Sequence, residues 1–314
     1  MHPSEAIKNQ PCLDWRFHLP QQFQKIIFWI YFPLISVSNF ISPFNSFNLR
    51  DRTIFLTGGA GLLGREFAAA LAAAQAHVVI ADINGEAAQA VATEITARTG
   101  VEALGLEIDV SDRLSVHAAV KQILDIFGQI DVLVNNAAVD PKFDPTHQVE
   151  HTGSFEDYPL DLWNQSLAVN LTGMFLCSQA VARPMLAQDK GVIINISSIY
   201  GLVGPDQRLY ENQIDPTPVY KPITYSVTKS AVTGLTRYLA TYWAGKNIRV
   251  NTLTLGGVFN QHKDEFVQRY SARTPLGRMA QRSEYNSALL FLASDASAYM
   301  TGANLVVDGG WTAW

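Results

Sequence analysis

From Arg52 onward, apolar positions follow two alternating patterns. Short runs of β-branched and aliphatic residues read as strands: TIFLT (53–57), HVVIA (77–81), ALGLEI (103–108), DVLVN (131–135), GVIINIS (191–197), NIRVNTL (247–253) and NLVVD (304–308). Between the first four lie stretches with apolar residues at helical spacing, which predict helices over about 62–75, 85–98 and 112–127. Strand runs without polar alternation belong to a sheet covered on both faces, and such sheets are parallel. Right-handed crossovers then give an α/β fold: a single doubly wound Rossmann-type sheet of about seven strands with helices on both faces. Ligands of such sheets sit at the carboxyl ends of the strands, so the residues just past each strand carry the chemistry.

The first strand runs into Thr57-Gly58-Gly59-Ala60-Gly61-Leu62-Leu63-Gly64. Gly58, Gly61 and Gly64 let the chain turn tightly, approach a pyrophosphate and pack the next helix on the sheet, while the helix start offers amide donors to phosphate. Thr57, Gly58, Gly61, Leu62, Leu63 and Gly64 are therefore candidate dinucleotide contacts. Asp82 ends the second strand, where a carboxylate accepts hydrogen bonds from the adenosine ribose and repels a 2′-phosphate. It favours NAD, with NADP kept open by the nearby Arg65; a cap on the next helix is the competing reading. Asp109 and Val110 follow the third strand and are placed to meet adenine, against an N-cap role for Asp109 or Ser111.

Charge and composition divide the chain near residue 50. The net charge is −5, but the first 50 residues are positive (Lys8, Arg16, Lys25 and Arg50 against Glu5 and Asp14) and hold 10 of the 33 aromatic residues. An uncharged stretch, Ile26–Leu49, raises a membrane segment, but Pro33, Pro43, three asparagines and four serines interrupt it. Residues 1–50 are accordingly expected to form a poorly ordered extension, with membrane contact by residues 26–44 disfavoured, ahead of a nucleotide-binding domain over 51–314. An acidic balance without a basic block argues against nucleic-acid binding. Cys12 and Cys177 show neither disulfide nor zinc spacing, and His147 and His151 alone do not make a metal site, so no metal is expected. A reducing, cytoplasmic setting fits this cysteine usage.

Further motifs follow the later strands: Asn135-Asn136-Ala137-Ala138, Asn170 in LAVNLTG, Asn195-Ile196-Ser197-Ser198, Tyr225-Ser226-Val227-Thr228-Lys229, and a tail from Tyr299 to Gly310. In this order they resemble the short-chain dehydrogenase/reductase family over roughly residues 50–314. The insert after Ser198 is further similar to members linked to surface-sugar and flagellin modification. The resemblance implies a nicotinamide-dependent oxidoreductase with the tetrad Asn170, Ser198, Tyr225 and Lys229. It also implies cofactor contacts at Asn136, Ala137, Tyr225, Lys229, Gly256 and Val258, and a homotetramer or homodimer with Trp311 and Trp314 near a subunit contact. Two departures stand out. The loop reads TGxxGxxG, as in the extended sugar-nucleotide branch, but only 85 residues follow Lys229, too few for that branch's second domain. Leu255 stands where the family has Pro before Gly256, which predicts a looser turn; Asn260 is the candidate to replace a missing Thr.

A free phenol titrates near 10. Lys229, one helical turn after Tyr225, would stabilise the phenolate and let Tyr225 exchange a proton with the substrate oxygen. Ser198 would hold that oxygen, and the resemblance implies that Asn170 links Lys229 to solvent through water. Ser166 and Cys177 gain no such role. Two enlarged segments, 139–163 and 199–224, border the expected substrate mouth and are polar and aromatic, which suits a hydroxylated substrate, charged or neutral, that is sugar-like or derived from a sugar nucleotide. The expected activity is NAD(H)-dependent interconversion of a secondary hydroxyl and a carbonyl. A sugar-nucleotide epimerase or dehydratase and a cofactor-binding protein without turnover are the alternatives.

Overall fold

The computed structural model describes residues 43–140, 154–210 and 219–314. The expectations for residues 1–42, for His147 and His151, and for the middle of both enlarged segments lie outside the described residues.

Seven parallel strands form one sheet in the order β3-β2-β1-β4-β5-β6-β7. They are β1 (Thr53–Thr57), β2 (His77–Asp82), β3 (Ala103–Glu107), β4 (Val132–Asn135), β5 (Gly191–Ser198), β6 (Ile248–Leu255) and β7 (Asn304–Val307). The helices are α1 (Leu62–Ala73), α2 (Gly85–Thr99), α3 (Arg113–Phe127), α4 (Leu160–Leu167), α5 (Gly173–Ala187), α6 (Ile223–Tyr242), α7 (Asp264–Ala272) and α8 (Asn286–Ala293).

The unbroken apolar runs make two cores, because successive side chains of a strand point to opposite faces. Ile54, Leu56, Val78, Ile80, Val132 and Val134 pack with α1, α2 and α8 on one side. Their neighbours Phe55, Val79, Ala81 and Leu133 pack with α3, α5 and α6 on the other. The strand order reverses beside β1, whose partners are β2 and β4. The crevice at that switch point is the binding position the fold provides.

Three local features differ from the sequence reading. The compact unit begins at Pro43, not at residue 51. Leu49 is fully buried in the first core, and its N–H donates to the Ala74 carbonyl. Helix α3 is capped by Asp112, whose carboxylate accepts from the Leu114 and Ser115 amides, rather than by Asp109 or Ser111. Residues Ala168–Thr172 form a π-helical turn between α4 and α5. A turn of this kind interrupts the regular helical ladder, often at functional sites, and Asn170 sits in it. Among the described residues no helix is long and apolar enough to cross a membrane.

Candidate active site

A groove of about 710 Å³ runs along the carboxyl ends of β1–β4. Gly58, Gly61, Leu62, Leu63, Gly64, Asp82, Asp109, Val110, Asn136 and Ala137 line it. Thr57 lies behind the groove. Its hydroxyl accepts from the Asn136 and Ala137 amides at 3.1 Å, while the Asn136 side-chain amide donates to the Thr57 and Gly58 carbonyls. The glycine loop is thereby bolted to the end of β4. Asp82 braces it from the other side, accepting from the Ala60 amide at 3.0 Å and the Asn84 amide at 3.2 Å. Helix α2 takes its cap from Asn84, so Asp82 is not the cap. Arg65 is exposed and donates from Nε to the Ala60 carbonyl. Asp109 accepts from the Ser111 amide and hydroxyl.

This groove fits a dinucleotide. Helix α1 starts at Gly61 with neither a side-chain cap nor an acidic residue in its first turn, which leaves its leading amides for an anion. A Cβ on Gly61 would meet only the Gly58 carbonyl oxygen, at 3.3 Å, and would otherwise occupy the groove. A Cβ on Gly64 would lie 2.1 Å from that same oxygen and 2.7 Å from Gly59 Cα. The two glycines therefore have separable duties. Gly64→Ala is expected to cost about 2 kcal/mol of stability by overpacking and to weaken NADH binding. Gly61→Ala should leave Tm unchanged and weaken NADH binding alone. Thermal unfolding and NADH titration of both variants check this; equal Tm losses would refute the division.

A second cavity of about 420 Å³ adjoins the groove, sharing Leu62, Leu63, Asn136 and Ala138 with it. Ser198, Tyr225, Lys229, Gly256 and Val258 all line this cavity. Ser198 arrives there at the last rung of the β5–β6 ladder, opposite Leu255. Tyr225 and Lys229 come from successive turns of α6. Burial pushes the Tyr225 phenol well above its ordinary pKa, against an opposing pull from the neighbouring Ser198 hydroxyl. Burial pulls Lys229 down to about 8. The Lys229 ammonium donates to the Ile196 carbonyl at 3.0 Å and lies 5.8 Å from the Tyr225 ring centre.

Asn170 does not reach the cavity. Fully buried, its side chain grips both peptide groups of Val139, at 2.8 and 2.9 Å, and donates to Thr228 at 3.3 Å. It joins the chain leaving β4 to the helix that carries Tyr225. Ser166 and Cys177 are buried away from the site, and burial pushes the Cys177 thiol up to about 12. No metal-binding group of His, Cys, Asp and Glu occurs among the described residues.

The turn after Leu255 is tighter than the missing proline predicts. Tyr270 Oη accepts from the Gly257 amide at 2.5 Å, Tyr285 Oη donates to the Gly256 carbonyl at 3.0 Å, and the Gly256 amide reaches the Val307 carbonyl at 2.9 Å. Long-range phenols thus hold what proline holds by its ring. The Asn260 side-chain oxygen accepts from Arg282. Trp311 is not a surface residue: it stacks on Tyr270 at 4.2 Å, whereas Trp314 is exposed.

Sequence reasoning missed one pair. Lys221 Nζ binds Asp140 Oδ2 inside the second cavity, and Lys221 sits 4.0 Å from the Tyr225 ring centre, nearer than Lys229. The only sequence signal is a lysine one helical turn before Tyr225. Tyr200 and Tyr210, hydrogen-bonded to each other at 2.9 Å, line the same cavity, so the described residues of the enlarged segment contribute to its wall.

Comparison with known proteins agrees with this geometry. The family described as enoyl-(acyl carrier protein) reductase matches residues 59–312. D-threitol dehydrogenase of Mycolicibacterium smegmatis is 35% identical over 271 residues, 85% of this chain and 95% of that protein. Trans-4-hydroxycyclohexanecarboxylate dehydrogenase of Sinomonas cyclohexanicum is 38% identical, over 84% of this chain and 93% of its own length. A gluconate 5-dehydrogenase from Burkholderia cenocepacia, solved with NADP and tartrate, superposes with a TM-score of 0.75 at 32% identity, covering 86% of this chain and 98% of that one. With the family match, the similarity of these relatives and the sheet order in agreement, this chain belongs to the short-chain dehydrogenase/reductase family and is an oxidoreductase acting on CH–OH groups.

Proposed function

We propose that the protein is an NAD(H)-dependent dehydrogenase/ketoreductase that interconverts a secondary hydroxyl and a carbonyl on a small sugar-like substrate. The observation that carries this reading is the convergence of Ser198, Tyr225 and Lys229 in one cavity that opens into the glycine-loop groove. A bound nicotinamide supplies or accepts the hydride. The protein's own residues handle the oxygen and its proton. Ser198 Oγ donates to the substrate oxygen and fixes it beside Tyr225 Oη. In reduction Tyr225 gives its proton to that oxygen; in oxidation it withdraws one. Lys229, charged below about pH 8, favours the phenolate that results when Tyr225 gives up its proton. Asn170 acts by holding Val139 and Thr228, and so the spacing between β4 and α6.

Asp82 supports NAD over NADP, since its carboxylate lines the groove where a 2′-phosphate would bring like charge. The similarity to D-threitol and gluconate dehydrogenases supports a polyhydroxylated substrate. The test is an NADH fluorescence titration followed by NAD-linked turnover of polyols and ketoses. Wild type should favour NAD, and Asp82→Asn, which keeps an acceptor for the Ala60 amide, should lower the NAD/NADP ratio of kcat/KM by about tenfold. Tight NADH binding with no hydride exchange on any substrate would establish the binding-only alternative instead.

A further inference from the structure

The second cavity has a polar end that proton transfer at Tyr225 does not require. Lys221 is 5% exposed and its ammonium is paired with Asp140, which is 17% exposed. Its backbone amide donates to Gln207 at 2.8 Å, which fixes the lysine from the enlarged segment. Asp140 Oδ1 is buried and has no hydrogen-bond partner among the described residues. Burial raises the phenols of Tyr200, Tyr210 and Tyr225, and the nearby Asp140 charge adds to the rise in each. An ion pair and two phenols therefore line a cavity that Phe266 and Met279 also line. Burying two charges is costly unless further hydrogen bonds complete them, and a buried acceptor left open calls for a donor.

We propose that Asp140 and Lys221 form a substrate-recognition pair that reads a hydroxyl on the carbon next to the reacting one, so that the enzyme selects neutral vicinal diols and polyols. This deepens, and rests on, the reading of Tyr225 as the acid/base. A hydroxyl both donates and accepts, so one small group can give a hydrogen bond to Asp140 and take one from Lys221. Lys221 lies over the Tyr225 ring, so the group read is the neighbour of the oxygen that Tyr225 serves. A carboxylate in that place would compete with Asp140 for Lys221 and set two like charges together in a buried site. A methylene there would leave the buried Asp140 Oδ1 without a donor, a mismatch that such sites reject strongly. In the oxidation, one carbinol carbon of the diol loses hydride to NAD⁺ and its hydroxyl loses a proton. The products are an α-hydroxyketone, NADH and a proton.

The experiment measures NAD-linked kcat/KM of the full chain on each stereoisomer of butane-2,3-diol, on butan-2-ol and on lactate. Wild type should use one diol stereoisomer about 10- to 100-fold better than butan-2-ol, the range a hydrogen bond to a charged group gives, and should use lactate poorly. Asp140→Asn and Lys221→Met should each lower the diol/butan-2-ol ratio by about tenfold. Lys221→Arg should restore part of it, and Asp140→Asn should raise lactate relative to diol. A wild-type ratio within twofold of one overturns the proposal without any variant. So does a ratio unchanged in both variants when cooperative unfolding shows them folded. If Tyr225→Phe keeps its turnover, the acid/base reading fails whatever the ratio. If Tyr225→Phe is inactive and the ratio is flat, only the recognition pair fails.

Discussion

Tyr225→Phe is expected to lower turnover by about 10³-fold in both directions, within the range that a positioned acid/base contributes, while NADH binding stays within about twofold. The ring remains, so the packing against Lys221 remains; only the hydroxyl that Ser198 contacts is lost. Tyr225 lines the second cavity and not the groove along β1–β4, which is why cofactor affinity should survive. The wild-type pH dependence sharpens the test. Burial and the Asp140 charge hold the phenol above its ordinary range, so it carries its proton at neutral pH. Reduction, which needs that proton, should be flat from pH 6 to 8. Oxidation needs the phenolate and should rise as pH increases. The Phe variant should lose that rise along with its rate. Residual turnover within tenfold of wild type, with the alkaline rise intact, would remove Tyr225 from the chemistry.

The features legible in the sequence are those written in local pattern. Unbroken apolar runs announced strands covered on both faces, and Ile54/Leu56 against Phe55 show the two cores that such runs must fill. The glycine loop was legible because backbone approach restricts residue type directly, as at Gly64. Ser198 stood out as the residue that ends a strand, and Tyr225 with Lys229 as a pair one helical turn apart. What escaped depends on contacts far apart in the chain. Lys221 meets Asp140 across 81 residues, and the spacing of Lys221 to Tyr225 says nothing of Asp140. Tyr270 and Tyr285 replace a proline at the Gly256 turn from 13 and 29 residues away, so the sequence showed only the loss. Leu49 is core although it lies on the near side of the charge break at residue 50, because composition does not register what one apolar side chain packs against. The π turn at Asn170 follows from side-chain bonds to Val139 and Thr228, which helix periodicity cannot register.

Lys229→Met should separate stability from activity. Turnover is expected to fall by about 10²–10³, since Tyr225 loses the cation that favours its phenolate. Stability without ligands should rise. Burial lowers Lys229 to about 8 from 10.5, which means the folded protein holds its charged form at a cost of about 3 kcal/mol at neutral pH. Methionine fills similar volume without the charge; it forfeits the bond to the Ile196 carbonyl, about 1 kcal/mol. The net gain of about 2 kcal/mol corresponds to roughly 4–8 °C in Tm for a domain of this size. The sign follows from linkage. Below the folded pKa of about 8 the lysine is charged in both folded and unfolded chains, and the cost is fully present. Between about 8 and 10.5 the folded lysine is neutral while the unfolded one still binds a proton, so the cost shrinks. Above 10.5 both are neutral and it is gone. The Tm advantage of the variant should therefore be largest at pH 7 and close as pH rises toward 10.5. A variant less stable than wild type at pH 7, with a gap that does not change up to pH 10, would show that Lys229 stabilises the fold and is not a strained charge kept for catalysis.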